Sequence, residues 1–535
     1  MFVRRRATRA AKAVLVCALV VSSMPAALAR PAQQSCDAHG PTAGGDWPVY
    51  GGDAYNSRSQ PAESTIGAAN AGSLQAAWTF AGASVGGGGG VNGTPVEADG
   101  CVFIGTTTGY VYAVDVTTGH AAWSRQLGAP NPGTGGAIVG SPVVSGRTAY
   151  VLVNQQVEAS APTGVPNGPY VAALDIGDGS LRWTSPPIAD AVGDYSNASP
   201  VVMPTPDHGR VVFAGFSPQE GEATGQGGFA LVSADDGSLL VRTYTVPPDR
   251  QQRGYAGGGI WSTPAFDPAT GYAYVGAGNP NSKQIEDPNT DAILKISLAD
   301  PQFGQIVGEY HGNPDQYTQT LETVRQSPLC AVSAGAPDPF DDPACGQLDL
   351  DFGAAPNLFR IGGQLMVGDL QKAGLYDVAD ATTMTGRWAT VVGAPCQFCN
   401  AASAAVAGGR VYGVGSPGGL TYALAGADGS RAWSSVTPDV THYESTSVAN
   451  GVVYTYDNQG VIHAFDASSG SPVWVHPMAA DVHSSALALT SAGIAVAAHT
   501  VLVAVTAGPA SFATIGASVP NSLADTYLIA YRLPG

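Results

Sequence analysis

The sequence predicts an all-β protein, an eight-bladed β-propeller with Trp-docking repeats, and three observations favour this fold class. The chain of 535 residues contains 70 glycines, 39 prolines and only 12% charged residues, a composition typical of many short strands joined by tight turns. A motif of the form A-x-D-x-x-[T/S]-G-x-x-x-W recurs along the chain. Two further strand-like runs precede the copies of this motif, which gives each unit the four strands of a propeller blade.

The motif copies and the strand pairs before them together define eight units. Clear copies of the motif lie at 113–123, 173–183, 423–433 and 464–474, and looser copies lie at 233–244 and 378–388. Two more units are identified by their first two strands alone. The tryptophan that ends most units is expected to pack on the neighbouring blade and not to bind a cofactor.

The two ends of the chain complement each other. The last unit ends at LIAYRL without a fourth strand, whereas LQAAWTF at 74–80 reads as a fourth strand that lacks the other three. Pairing the two would close the ring and remove an exposed sheet edge. We therefore expect residues 30–535 to form a single propeller domain that is closed by residues 74–80.

Residues 1–29 have the pattern of a signal peptide. Basic residues precede an apolar run at 13–21, and Ala27-Leu28-Ala29 supplies the small residues of a cleavage site. No later stretch is long and apolar enough to span a bilayer. The mature protein is expected to be secreted or periplasmic, without a membrane span.

The mature chain is strongly acidic. Loss of residues 1–29, which hold five basic and no acidic residues, moves the formal net charge from -18 to -23. Such a chain repels nucleic acid, so nucleic-acid partners are not expected. Six cysteines remain, an even number that suggests disulfides outside the cytoplasm. Close spacing favours Cys330 with Cys345 and Cys396 with Cys399, which leaves Cys36 with Cys101.

Several polar residues and one tryptophan fall on one face of the predicted ring. In a four-stranded blade, the loops after second strands and the connections into first strands lie at the same end. This rule brings Glu220, Asn279 and Asp351 together with Trp261 and Lys372. Two carboxylates and an amide form a hard-oxygen set that suits Ca²⁺ better than zinc. Their convergence on one face indicates a functional site.

At these residues the sequence resembles the pyrroloquinoline quinone-dependent alcohol dehydrogenases, and most closely their polyvinyl-alcohol-dehydrogenase-like branch. The resemblance covers about 40–535, including WPVYGGDAYNSRSQ near the N-terminus. It implies that Trp261 of GGGIW forms the floor on which the quinone stacks. It also implies that Asn279 of GAGNP and Glu220 of FSPQE are calcium ligands.

The same resemblance assigns the remaining site residues. Asp351 of LDFG would be the catalytic base and a calcium ligand, and Lys372 of QKAG would contact the quinone oxygens. Ser217 would lie near the quinone. The implied reaction is hydride transfer from an alcohol to the Ca²⁺-bound quinone, with Asp351 accepting the hydroxyl proton.

The sequence also departs from the pattern of this family. Family members that bind lanthanides have an aspartate two residues after the catalytic one, where this chain has Gly353, which favours calcium. No adjacent cysteines occur to cap the quinone, although Cys396 and Cys399 lie on the functional face as a loop staple or a small cap. Asn400 follows them where a haem site would need histidine. Electrons are therefore expected to leave for a separate acceptor such as a soluble cytochrome c.

Two other functions remain open from the residues alone. The chain could be a non-catalytic exported scaffold that has lost the quinone. It could also be a polysaccharide hydrolase that uses Asp349 and Asp351, although alternate residues on one short segment are poorly placed to flank a glycosidic bond. His442 and His483 are expected to be loop or packing residues. The sequence does not rank primary, secondary or polymeric alcohols as substrates.

Overall fold

The computed structural model of the chain describes most of the residues after the N-terminal region. These residues are 36, 42–127, 135–160, 166–219, 222–281, 286–312, 350–393, 400–416, 418–438, 440–482, 484, 487–488, 492–507 and 525–535. They belong to one compact unit that spans 34–535. None of the helices within these ranges has the length and hydropathy that crossing a membrane requires.

Eight sheets, antiparallel except for one parallel strand pair, account for nearly all of the regular structure, which confirms the predicted eight-bladed propeller. Strands β1 (Ser59–Gln60) and β2 (Gln75–Ala81) precede the first blade. Blades one to four contain β3 (Val96–Ala98), β4 (Cys101–Gly105), β5 (Tyr110–Asp115), β6 (Ala121–Gln126); β7 (Gly135–Ala137), β8 (Val143–Ser145), β9 (Thr148–Gln155), β10 (Tyr170–Asp175), β11 (Leu181–Thr184); β12 (Val201–Pro204), β13 (Arg210–Phe216), β14 (Gly228–Ser233), β15 (Leu239–Tyr244); and β16 (Ala265–Asp267), β17 (Tyr272–Gly276), β18 (Ala292–Ser297), β19 (Ile306–His311).

The second half of the ring repeats this plan. Blades five to eight contain β20 (Asn357–Ile361), β21 (Gln364–Gln371), β22 (Leu375–Asp380), β23 (Gly386–Val391); β24 (Ala405–Ala407), β25 (Arg410–Gly415), β26 (Leu420–Ala425), β27 (Arg431–Val436); β28 (Ser447–Ala449), β29 (Val452–Tyr456), β30 (Val461–Asp466), β31 (Pro472–Pro477); and β32 (Leu487–Ala488), β33 (Ala495–Ala497), β34 (Thr500–Ala507), β35 (Asp525–Arg532). Short helical turns are found at Ala71–Ser73, Gly82–Val85, Pro248–Gln251 and Met478–Ala480.

The eighth blade takes its outer strand from the N-terminal part of the chain. Strand β2 pairs antiparallel with β35, and Phe80 lies opposite Leu528. The blade therefore has the order β33, β34, β35, β2. The edge of β35 is covered by a strand that precedes all the other blades in the sequence.

The motif tryptophans lock adjacent blades together, as the sequence predicts. The indole N–H of Trp123 in blade one donates to the carbonyl of Ile176 in blade two at 2.6 Å. Beneath the ring lies Gly179, whose φ is +70° and where a Cβ atom would come within 2.6 Å of the indole. The glycine of the motif thus permits both the turn and the close approach of the ring. The same docking is seen for Trp78, Trp388 and Trp433.

Most of the hydrophobic core lies between blades. One cluster joins Phe103 of blade one to Val151 of blade two, and another joins Val102 of blade one to Leu502 of blade eight. Each blade therefore buries both of its faces against its neighbours. A disulfide joins Cys36 to Cys101, which confirms that predicted pair. Cys330, Cys345, Cys396 and Cys399 lie outside the described residues.

An N-terminal stretch, residues 45–60, runs along the inner edges of the blades, and we call it the axial segment. Among the described residues, its backbone forms hydrogen bonds at or next to the first strand of seven blades. Blade three is the exception. The contacts join Gly45 to Ala498, Trp47 to Glu97, Pro48 to Val144, Ala54 to Phe266, Tyr55 to Leu358, Ser57 to Val406 and Arg58 to Val448. The stretch that carries WPVYGGDAYNSRSQ is thus part of the propeller core.

Candidate functional site

The predicted site residues of blade four lie on two backbone segments that are hydrogen-bonded to each other. Trp261 lies on the connection between β15 and β16, and Asn279 follows the end of β17. The amide of Gly258 donates to the carbonyl of Asn279 at 2.9 Å, and the amide of Gly278 donates to Gly259 at 2.8 Å. This pairing holds the indole and the amide side chain at the same end of the blade.

The triple glycine before Trp261 is required by close packing. Gly257 has a φ of +107°, and a Cβ atom there would approach the carbonyl oxygen of Asn279 to 2.4 Å. A Cβ atom at Gly259 would lie 2.6 Å from the hydroxyl of Ser217, which follows β13 in blade three. Larger residues would separate the three segments. The glycines therefore allow blades three and four to meet beside Trp261.

Asp351, Lys372 and Trp261 form one polar centre between blades four and five. The ammonium of Lys372 donates to Oδ2 of Asp351 at 2.9 Å, and the indole N–H of Trp261 donates to the same oxygen at 3.1 Å. The ammonium also lies 5.1 Å from the centre of the Trp261 ring. The backbone amide of Lys372 donates to the carbonyl of Asp351 at 2.9 Å. The two loops are therefore joined through both backbone and side chains.

This centre is well shielded from water. Asp351 is 3% exposed and Lys372 is 8% exposed, whereas Trp261 is only half-buried. Removing one partner from a buried ion pair leaves an uncompensated charge, which is costly, so the two side chains constrain each other. The carboxylate is thus held in a fixed orientation beside an indole that keeps part of its surface accessible.

Two glycines pack closely against the indole. A Cβ atom at Gly353 would meet Cη2 of Trp261 at 1.9 Å, and one at Gly278 would lie 3.3 Å from Nε1. Gly353 occupies the position at which the lanthanide-binding relatives of the resembled family have aspartate. The indole in its present position leaves no room for that side chain.

Ser217 shows an unsatisfied polar atom beside these residues. It is 4% exposed, and its hydroxyl has no hydrogen-bond partner within the described part of the chain. Buried hydroxyls in folded proteins almost always have a hydrogen-bond partner, so this oxygen is a candidate ligand contact. This observation fits a polar ligand next to Gly259.

Asn400 is a site residue that the sequence reasoning considered only as an argument against haem. Its side-chain amide donates to the carbonyl of Lys372 at 3.2 Å, and its Oδ1 accepts the backbone N–H of Ser416 at 3.0 Å. Its backbone has a φ of +56°, a region that asparagine tolerates better than most residues. The position before a first strand on the functional face was the signal that could have identified it.

Other predicted residues have different outcomes. Glu220, Asp349 and His483 lie outside the described residues. His442 is 1% exposed; burial lowers its pKa, and its Nδ1 hydrogen-bonds to the carbonyl of Tyr456 at 2.9 Å. It therefore packs within blade seven, as expected.

The described residues supply only part of a metal site. Asn279 and Asp351 are the two predicted ligands among them, and no group of three or more histidine, cysteine, aspartate or glutamate side chains that could hold an ion occurs in the described ranges. An amide oxygen and a carboxylate are donors that Ca²⁺ accepts. The predicted third ligand, Glu220, follows Ser217 by three residues, and Ser217 lies against Gly259.

Comparison with known proteins identifies the family. The sequence model of family PQQ_2, described as outer membrane protein assembly factor BamB, matches residues 62–315 and 362–515. A polyvinylalcohol dehydrogenase from Pseudomonas sp is 23% identical over 270 residues, which is 47% of this chain and 38% of that protein. The dehydrogenase subunit of a quinone alcohol dehydrogenase from Gluconacetobacter polyoxogenes is 24% identical over 360 residues, which is 60% of this chain and 46% of that protein. The chain spans less than half the length of these curated relatives.

Solved structures support the same fold. The crystal structure of quinohemoprotein alcohol dehydrogenase from Comamonas testosteroni matches 92% of this chain and 82% of its own, with a TM-score of 0.65 and 17% identity. At that level of identity, the match supports the propeller fold alone.

Proposed function

Because this chain belongs to family PQQ_2 and its relatives include quinone-dependent alcohol dehydrogenases, we propose that it is an exported quinoprotein that oxidises an alcohol. Pyrroloquinoline quinone and Ca²⁺ are the proposed cofactors. The observation that carries the proposal is the joint contact of Trp261 and Lys372 with a single oxygen of Asp351. A candidate base, Asp351, thereby lies in contact with a buried cation, Lys372, and with the half-exposed indole of Trp261.

Each residue of this centre has a proposed task. Trp261 provides the flat surface against which the planar cofactor stacks. Lys372 holds a positive charge next to Asp351 and beside the indole, where it can contact ligand oxygens. Ser217 offers a buried hydroxyl without a protein partner in the described residues. Asn279, Asp351 and Glu220 are the proposed oxygen ligands of the ion.

Asp351 is the proposed general base. When bound, the quinone supplies the hydride acceptor and Ca²⁺ supplies the Lewis acid. The carboxylate of Asp351 would accept the proton from the oxygen of the alcohol while a hydride leaves the carbon that bears this oxygen, so the alcohol becomes a carbonyl compound. Lys372 and Trp261 fix the orientation of the carboxylate for this transfer. Burial keeps bulk water from competing for the proton.

A second candidate function follows from the description of the family. The PQQ_2 description names an assembly factor, and a non-catalytic exported scaffold would keep the same eight blades. The buried ion pair of Asp351 and Lys372 favours the enzyme, because burying two charges is costly and contributes little to stability compared with apolar packing. A scaffold has no comparable use for it.

The proposed setting is outside the cytoplasm. We propose that residues 1–29 are a cleaved signal peptide and that the mature protein is secreted or periplasmic. The proposed electron acceptor is a separate protein such as a soluble cytochrome c. A primary, secondary or polymeric alcohol remains the proposed substrate class.

Reconstitution tests the proposal directly. The purified apo-protein is expected to show no turnover, and to oxidise an alcohol with an artificial electron acceptor only after both the quinone and Ca²⁺ are added. Binding should also raise the free energy of unfolding, by about 2.7 kcal/mol when the free quinone is at a hundred times its Kd. Chelation of Ca²⁺ should reverse both effects. If micromolar quinone neither binds nor stabilises the protein with Ca²⁺ present, the scaffold becomes the better explanation.

Gly353→Ala is expected to weaken quinone binding by about tenfold or more. The new methyl group would collide with the indole edge, and overpacking of this kind typically costs about 1–3 kcal/mol. The matched control is Gly90→Ala, where an added Cβ would find ordinary contacts at 3.5 Å. Titration of each variant with quinone measures the difference. Equal quinone affinities for the two variants would show that the position of the Trp261 indole does not affect quinone binding.

A further inference from the structure

Two buried aspartates face each other on adjacent strands of blade five, and we call them the acid pair. Asp369 on β21 lies directly opposite Asp377 on β22. Side chains at directly opposed positions of antiparallel strands have Cβ atoms about 4.5–5.5 Å apart. Asp369 is 0% exposed and Asp377 is 2% exposed. Two buried aspartate side chains therefore extend from directly opposed positions of the sheet.

Only one oxygen of each carboxyl group has a protein partner. Oδ1 of Asp369 accepts the backbone N–H of Leu370 at 2.8 Å, and Oδ1 of Asp377 accepts the hydroxyl of Tyr310 at 2.9 Å. Both Oδ2 atoms are buried and have no hydrogen-bond partner among the described residues. Unsatisfied buried carboxyl oxygens are costly and require an explanation.

The acid pair lies at the junction of blades four and five. Tyr310 belongs to β19 of blade four, and a Cβ atom at Gly276 of β17 would lie 3.0 Å from Oδ2 of Asp369. The same Cβ atom would lie 2.3 Å from the carbonyl oxygen of Phe352, the residue after Asp351. The pair is therefore built into the joint that supports the candidate site.

We propose that Asp369 and Asp377 share one proton at neutral pH and that this protonated pair is a pH-sensitive joint between blades four and five. One proton, transferred directly or through a single water molecule, lets one Oδ2 donate and the other accept. Both unsatisfied atoms then gain a partner at once. Aspartate pairs that cannot both ionise share a proton for the same reason.

The surroundings of the pair support this assignment. Burial, and then the charge of Asp377, raise the pKa of Asp369 well above its usual range. Burial raises the pKa of Asp377 to about 6, against the effect of the Tyr310 hydrogen bond. Tyr376, next to Asp377 on β22, is a further titratable side chain near the pair: burial, then Tyr422 and the charge of Asp369, raise its pKa well above the usual range. Both shifts act in the direction that a pair sharing one proton at neutral pH requires.

The sign of the pH effect follows from these shifts. Unfolded aspartate releases its proton near pH 4, whereas the folded pair keeps one at neutral pH. The folded protein therefore binds more protons, and its stability falls as pH rises above about 4 until the pair is fully ionised. Above that point two carboxylates would repel each other across the strands, which would loosen the joint.

Infrared spectroscopy of the full chain gives the first test. The wild type at neutral pH is expected to show the carbonyl stretch of a protonated carboxyl group that is absent from Asp369→Asn/Asp377→Asn. Asp236→Asn, which alters an exposed turn carboxylate, should leave the band unchanged. Identical spectra for the wild type and the double variant would overturn the shared proton. This readout needs no cofactor, so it is independent of the proposed enzymatic function.

Unfolding at several pH values gives the second test. The unfolding equilibrium constant of the wild type should rise more steeply between pH 5 and 8 than that of the double variant, by up to about tenfold per pH unit for each retained proton. Asp369→Asn should be as stable as the wild type at pH 8 or more so, because its amide donates to Asp377 at any pH. Asp369→Leu should be less stable than Asp369→Asn at pH 8, because leucine cannot donate a hydrogen bond to Asp377. The proposed joint would be refuted if the stability of the wild type and of the double variant had the same pH dependence. It would also be refuted if Asp369→Asn and Asp369→Leu lost the same amount of stability.

Discussion

Asp351→Asn is expected to bind the quinone and Ca²⁺ yet lose about a hundredfold to ten-thousandfold of its turnover, because it lacks a positioned general base. The amide oxygen of asparagine can still accept hydrogen bonds from Lys372 and Trp261, so the geometry of the centre should be retained. Steady-state rates with saturating alcohol and quinone titrations of the same preparation measure the two effects separately.

A variant outside the site provides the control. Asp236→Asn changes an exposed turn carboxylate of blade three in the same way and should retain full turnover. If Asp351→Asn keeps more than about a tenth of the wild-type rate, another group accepts the proton. If it loses quinone binding instead, Asp351 acts mainly as a ligand.

Trp261→Ala is expected to weaken quinone binding by about ten- to a hundredfold. The indole is the proposed stacking surface, and burying an aromatic side chain is worth about 1.5–3 kcal/mol. Quinone titration followed by absorbance, with Ca²⁺ held in excess, measures the change. Any residual turnover at saturating quinone should remain well above that of Asp351→Asn, because the base is still present.

Trp261→Phe separates the two contacts of the indole. Phenylalanine keeps an aromatic surface but cannot donate the hydrogen bond that Trp261 makes to Asp351 at 3.1 Å. Affinity should therefore be largely retained, whereas turnover should fall because the carboxylate is less well oriented. An equal loss of affinity in the Ala and Phe variants would argue against stacking as the role of this side chain.

The fold was predictable because its determinants are local and repeated. The glycine and tryptophan of the clear motif copies recur at fixed spacing. Five glycines with a φ near +70° lie beneath the tryptophan of the preceding blade: Gly119, Gly179, Gly237, Gly429 and Gly470. Except in blade eight, whose outer strand is β2, strand order in a blade follows the order of the chain. The rule that loops after second strands share a face with connections into first strands therefore gave the correct end of the blade for Trp261, Asn279, Asp351 and Lys372.

Features that depend on contacts between distant residues were not predictable. No spacing rule indicates that Lys372 and Trp261 would bind the same oxygen of Asp351, because the rotamers of three loops decide it. Asn400 was missed as a partner of the Lys372 backbone for the same reason. The acid pair could not be predicted either, because the opposition of Asp369 and Asp377 depends on the strand register of blade five. The roles of the site residues remain predictions.

The axial segment changes how the blades depend on one another. In a structure built from repeated units, each unit usually stabilises only its immediate neighbours, so that damage can stay local. Here one short stretch of backbone is hydrogen-bonded to seven blades, including blades that do not touch. Its partner in blade eight, Ala498, lies far along the chain from Gly45, so the stretch cannot complete its contacts until that blade has been synthesised. The ring is consequently expected to fold and to unfold as a single cooperative unit, because the axial segment links blades that are not neighbours.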